Sequence, residues 1–270
     1  DAQFVRVHVR GENTARDHRL RIVFRTGVRT TETLADAAFG PVVRRPLDVP
    51  VADAIAERPP RTAPLHRWVS LSDGATAATV VSDGLAEYEA TPEGDVAITL
   101  VRSVGELSRR DLPERPGHAG WPVHTPQAQS LGPFAASFAI ALHSSHDAAE
   151  SMVFIERLAD DVLQPLRGET LRSAIDLPHE SGGLTLEGDG LAFSAAKPSD
   201  DGAWIVLRCV NLTDAPVDGA WRLRVRVHEA RLARLDETLG APLNVERTEA
   251  DACVVRIAVP ARGVHTVCVR

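Results

Sequence analysis

The chain is short of several residue types, and each shortage removes a class of explanation. It holds 3 cysteines, Cys209, Cys253 and Cys268. The number is odd and no two stand at CxxC spacing, which argues against a disulfide framework and a zinc knuckle. They read as small apolar core residues in a reducing compartment, and a cytoplasmic location is the expectation. Long apolar runs are missing. The longest, such as residues 138–142, fall far short of the roughly 20 residues that cross a bilayer, so no membrane partner is expected. The formal net charge is −7 and no stretch gathers positive charge without acidic neighbours, so no nucleic-acid partner is expected either. Lysine is nearly absent: Lys197 is the single one among 30 basic residues. Such a bias points to a GC-rich genome rather than to a function. The catalytic signatures GxSxG, GxGxxG and HExxH and the phosphate-binding loop are all missing.

The first residue is Asp1 and the sole methionine is Met152. The stretch 4–9 already alternates like a strand. This opening reads more easily as a domain cut from a longer protein than as a free one.

What is present is alternation with period two, the mark of strands with one buried face. Val5, Val7 and Val9 share one side, and Leu20, Ile22 and Phe24 repeat the pattern. Residues 29–64 lose it and read as an irregular surface excursion. Strands resume at 68–71, 77–81, 85–89 and 96–101, joined by Asp73-Gly74, Asp83-Gly84 and the 92–95 turn, which predicts an antiparallel meander. Residues 103–133, rich in Pro and Gly, read as a long loop before a strand at 134–142. One helix is predicted over 148–163, capped by Ser145 or Asp147 and stopped by Pro165, with Met152, Ile155, Leu158 and Ala159 on one face. The last third returns to strands at 184–186, 191–193, 204–210, 221–227, 253–259 and 264–269. The fold class is therefore all-β: a large antiparallel sandwich over 1–165, a smaller terminal sandwich over 166–270, and one helix between them.

Candidate site residues are few. Arg102 ends a strand beside the long loop, where a guanidinium can donate to sugar hydroxyls or a carboxylate; an ion pair with a neighbouring acid is the plainer reading. His118 and Trp121 lie in the loop with flexible glycines, and an aromatic face suits a sugar's C–H face, although Trp121 could equally be packed. Trp68, Trp204 and Trp221 sit in strand patterns and read as core. Glu87 and Glu89 share one strand face, more often a wet surface than a catalytic pair. His143 and His146 stand three apart but lack the further ligands that a metal needs.

Across 66–129 the motifs come in an ordered series. His66-Arg67-Trp68-Val69-Ser70-Leu71-Ser72-Asp73-Gly74 is followed by Val81-Ser82-Asp83-Gly84-Leu85-Ala86-Glu87-Tyr88. Then come Ile98-Thr99-Leu100-Val101-Arg102-Ser103-Val104-Gly105 and, later, Pro116-Gly117-His118-Ala119-Gly120 and Thr125-Pro126-Gln127-Ala128-Gln129. The stretches Asn13-Thr14-Ala15-Arg16-Asp17 upstream and Ala196-Lys197-Pro198 downstream fit the same series. This order resembles the C-terminal region of bacterial α-mannosidases of glycoside hydrolase family 38. The resemblance implies a galactose mutarotase-like β-sandwich region that lacks the catalytic nucleophile. It implies a missing N-terminal catalytic domain of the same polypeptide that holds zinc, with no cofactor in this fragment, and mannosides as the carbohydrate bound. It also implies a substrate-facing role for Arg102, with His118 and Trp121 at the edge of the same cleft. Lys197 then reads as a tether within its motif. An autonomous carbohydrate-binding module and a structural or homo-oligomerising β domain remain as alternatives.

Overall fold

The computed structural model describes residues 3–38, 40–45, 57–112, 114–117, 119–145, 148–164, 170, 183–248 and 252–270. They fall into two compact units, Asp1–His146 with Leu158–Leu163, and Asp147–Arg157 with Gln164–Arg270. Both are antiparallel sandwiches, as the alternation predicts.

The strands of the first unit, in chain order, are β1 (Val5–Asn13), β2 (Arg19–Arg25), β3 (Thr33–Ala35), β4 (Val42–Arg44), β5 (Thr62–Pro64), β6 (Trp68–Ser72), β7 (Thr76–Ser82), β8 (Glu87–Ala90), β9 (Asp95–Arg102), β10 (Asp111–Leu112), β11 (Arg115–Pro116) and β12 (Gly132–Ser144). Six of them form a sheet in the order β1-β12-β7-β6-β3-β4, and four form a second in the order β2-β9-β8-β5. The sheets bury their inner faces against each other. Val69, Leu71, Ala78, Val80 and Phe138 from the first meet Tyr88, Val96 and Ile98 from the second. Phe24 and Phe138 pack edge to face at 5.8 Å, and the buried Tyr88 hydroxyl is matched by Thr33 Oγ1 at 2.8 Å.

Three expectations need correction here. The predicted meander is split: β6 and β7 pair in the six-stranded sheet, while β8 and β9 pair in the other. The Asp83-Gly84 turn carries the chain across. The reason lies in the side chains. β7 is buried on both faces from Ala77 to Ser82, whereas β8 alternates Glu87 and Glu89 outward with Tyr88 and Ala90 inward. The stretch 29–64 is not wholly irregular either. It holds β3, β4 and β5, each 3 residues long, too short for a period of two to register. The loop 103–133 likewise contains the small β10–β11 hairpin.

The helix α1 (Ala148–Leu163) forms where predicted, and Met152, Ile155, Leu158, Ala159 and Val162 are buried. Asp147 and Pro165 lie outside the described residues. Ser145 bonds Ser72 Oγ at 2.7 Å. No helix among the described residues is long and apolar enough to cross a membrane.

The second unit adds β13 (Leu184–Glu187), β14 (Leu191–Pro198), β15 (Ile205–Asn211), β16 (Val217–Leu223), β17 (Ala230–Ala233), β18 (Leu239–Leu243), β19 (Val245–Arg247), β20 (Cys253–Val259) and β21 (Val264–Val269). Its sheets run β13-β16-β20-β19 and β14-β15-β21-β17-β18. Trp221, Leu223, Val255 and Ile257 from one meet Leu207, Cys209 and Val267 from the other. The predicted strand at 221–227 is out of place, because β16 ends at Leu223. β17, β18 and β19 were not foreseen, being short and lacking apolar alternation. Trp68, Trp204 and Trp221 are all buried. The three cysteines are free and buried, and burial pushes the Cys209 thiol up to about 11. Lys197 forms an ion pair with Glu237 and sits 3.7 Å from Asp200. It thereby ties β14 to the turn between β17 and β18.

His265 on β21 is held below the usual imidazole range by burial. Folding thus excludes a proton that the unfolded chain takes up below about pH 6.5. The contribution is complete above that pH and is lost as pH falls. A His265→Phe variant is expected to flatten the decline of the urea midpoint between about pH 7 and pH 5. An unchanged slope would show that His265 is not a source of the acid sensitivity.

Candidate functional site

The outer face of the four-stranded sheet carries charge of both signs in register. Glu87 and Glu89 point out from β8, and Arg19 and Arg21 from β2. On β9 the outward residues are Thr99 and Arg102. Three positions apart, they would face opposite sides of a regular strand. A bulge resolves this. Arg19 stands opposite Arg102 and Leu20 opposite Val101, yet Arg21 stands opposite Thr99, so Leu100 is the extra residue. The insertion turns Arg102 onto the same face as Glu87.

Glu87 is the hub of this face. It accepts from Thr99 Oγ1 at 2.6 Å, Arg102 Nη1 at 3.2 Å and Arg19 Nη1 at 3.3 Å. Glu89 accepts from Arg21 Nη1 at 2.5 Å. The Glu87 side chain is 21% exposed and that of Arg102 is 66% exposed. Glu87 is thus anchored from three sides, while Arg102 is held at one nitrogen and keeps donors for a ligand.

A second wall rises from the loop after β9. Asp17, whose φ of 55° places it in the left-handed region, accepts from Gly105 N at 2.9 Å and Gln129 Nε2 at 3.0 Å. Its own amide donates to Gln129 Oε1 at 2.9 Å. Asn13 reaches the same loop from the end of β1, donating to Ser103 Oγ, Gln129 O and Ser130 O. Farther out, Arg109 clasps Asp111 with two bonds, at 2.9 and 2.7 Å. This holds the Asp111 carboxyl down at about 2. Between face and wall lies an open cleft of about 660 Å³, bordered by Glu87, Arg102, Asp17, Arg109, Leu107 and Arg58 among others.

Of the residues singled out in the sequence, Arg102 borders this cleft. Trp121 does not; it stands 85% exposed on the loop. His118 lies outside the described residues, as does His146. His143 bonds Thr79 Oγ1 at 2.9 Å. Glu87 and Glu89 do share a wet face; the arginines that order them come from strands whose pairing the sequence left open. The tie of Asn13, Asp17 and Gln129 went unseen. Its one local trace is the Asx turn in which Ala15 N donates to Asn13 Oδ1. Among the described residues no three His, Cys, Asp or Glu side chains converge as metal ligands.

No protein-family model matches the chain. It is 33% identical over 210 residues, 78% of its length, to the "Putative mannosylglycerate hydrolase" of Halalkalibacterium halodurans. Two solved structures from Enterococcus faecalis share its fold over 100% of its length. One is described as an α-mannosidase, at 23% identity and a TM-score of 0.76. The other is described as a protein in glycosyl hydrolase family 38, at 22% identity and the same TM-score. The chain spans 22% of the curated relative and 28% of each solved chain.

Proposed function

We propose that this chain, related by homology and fold to the family 38 glycoside hydrolases, is the C-terminal β-sandwich portion of a longer α-mannosidase and supplies one wall of its substrate cleft. The observation that carries the reading is Arg102, turned by a bulge onto a charged face and held by Glu87 at one nitrogen beside an open cleft. A guanidinium so placed binds sugar hydroxyls, or a carboxylate at two points. The bond-breaking groups and the zinc belong, on this reading, to an N-terminal catalytic domain of the same polypeptide. Mannosides are the ligand, and the compartment is a reducing cytoplasm. The likeness to the "Putative mannosylglycerate hydrolase" favours a narrower version, in which the mannoside carries a carboxylate that Arg102 reads.

In the longer enzyme, Arg102→Ala is expected to lower kcat/KM on an aryl α-mannoside by about 10- to 100-fold. That is the effect of losing one charge-assisted hydrogen bond of about 1.5–3 kcal/mol. Arg102→Lys keeps the charge without the fork and should fall between. An unchanged kcat/KM in a folded Arg102→Ala enzyme would reject the reading. A larger loss on mannosylglycerate than on the neutral glycoside would favour the acidic substrate.

A further inference from the structure

Three guanidiniums and two carboxylates meet on the outer face of the four-stranded sheet. Arg19 reaches both acids, Glu87 at 3.3 Å and Glu89 at 3.7 Å. Arg21 pairs with Glu89 at 2.5 Å, and Arg102 with Glu87 at 3.2 Å. Among the described residues Glu87 is the only acid in an ion pair with Arg102. Arginine stays charged throughout the ordinary pH range. Two carboxylates therefore leave this cluster with one positive charge in surplus. The surplus lies where partners shield it least. Arg19 has two acids and Arg21 a close one, and both are about a third exposed. Arg102 shares its acid with Arg19 and is 66% exposed. An open, unbalanced cation at the border of a cleft draws anions to it.

The two oxygens of Glu87 have separate tasks. Oε1 accepts from Thr99 Oγ1 at 2.6 Å and from Arg19 Nη1 at 3.3 Å. Oε2 accepts from Arg102 Nη1. A carboxylate is planar, so fixing Oε1 also fixes where Oε2 points. The anchors come from β9 and β2, two strands paired along their length, and not from the loop. Arg102 is thus held at Nη1 by a rigid partner. Its Nε–Nη2 edge makes no bond to the described residues, and such an edge matches the two oxygens of a carboxylate.

We infer that Glu87 is the positioning residue for Arg102 and sets the cleft's selectivity for charge. It aims the guanidinium, and it leaves the cluster one negative charge short. A mannoside bearing a carboxylate supplies that charge, and a neutral one does not. This role rests on the reading of Arg102 as a substrate contact, and it acts through Arg102.

Glu87→Gln, Thr99→Val and Arg102→Ala in the longer enzyme test it, each assayed on mannosylglycerate and on an aryl α-mannoside. Glu87→Gln raises the surplus to two and sets an amide NH2 against a donor. Loss of a well-aimed Arg102 should lower kcat/KM on the neutral glycoside by about 10-fold. The added attraction should hold the loss on mannosylglycerate under about 3-fold, so the ratio of the two rises. Salt should shrink that rise, because the cluster is exposed. Thr99→Val loosens the anchor without changing charge, so both substrates should lose alike, by about 2- to 5-fold. In an Arg102→Ala enzyme, adding Glu87→Gln should lower kcat/KM no further. A ratio that Glu87→Gln leaves unchanged overturns the inference. So does a further loss in the Arg102→Ala enzyme, which would make Glu87 a support of the sheet alone. Full activity of Thr99→Val on both substrates also overturns it. A crippling Arg102→Ala with an unchanged ratio in Glu87→Gln defeats only the role of Glu87. An indifferent Arg102→Ala defeats the cleft reading, and the role of Glu87 with it.

Discussion

Asn13→Ala is expected to cost about 2–4 kcal/mol of stability and to loosen the loop that walls the cleft. Asn13 is 6% exposed at the end of β1. Its amide nitrogen lies 3.1 Å from Ser103 Oγ, 3.1 Å from Gln129 O and 2.9 Å from Ser130 O. Two hydrogens serve three acceptors, so one bond is shared. Ser103 Oγ also donates to Gln129 O at 2.7 Å. Alanine removes the amide donor from Ser103 Oγ, Gln129 O and Ser130 O; Gln129 O keeps its bond from Ser103 Oγ, and each bond lost costs roughly 1 kcal/mol. Ser130 adds to the dependence, since its φ of 49° is a left-handed conformation that its surroundings must hold. The urea midpoint should fall, and amide exchange should rise at residues 103–105 and 128–130 ahead of the strands. Asn13→Asp should be no better, because a carboxylate offers no donor to these carbonyls. If exchange in those two segments stays at its original rate in Asn13→Ala, the loop is held by something else.

Trp221→Ala is expected to cost about 3–5 kcal/mol, the range for emptying a large aromatic site in a packed core. Trp221 is fully buried at the centre of the second sandwich. Phe193 packs edge-on to it at 6.1 Å. One feature of the site works against it: the indole Nε1 is buried without a hydrogen-bond partner among the described residues. An unpaired N–H in such a place costs of order 1–3 kcal/mol. Trp221→Phe removes that group and much less volume, so it should cost under about 2 kcal/mol and show a small shift of the denaturation midpoint. Equal losses in the two variants would mean that the indole N–H is satisfied after all, and that the ring's size is not what matters.

The sequence by itself determined the class of fold, most of the long strands, the helix and the family resemblance. Alternation in β1, β2 and β9 is local and repeats every two residues, so it survives without knowledge of partners. Motif order works in the same way, because it is read along the chain. Arg102 could be picked out as a strand-end arginine, but not the face it takes, since a single bulge at Leu100 decides that. The sheet to which β7 and β8 each belong was also out of reach. Both extend from the same turn, and only the packing of one strand on two sides and the other on one separates them. The ties that build the cleft are the least legible part. Asn13 meets Gln129 O across 116 positions, Asp17 meets Gln129 across 112, and Arg19 meets Glu87 across 68. No periodicity spans such distances. Tertiary structure decides them, because a polar side chain leaving water takes whichever partner the folded chain brings within about 3 Å.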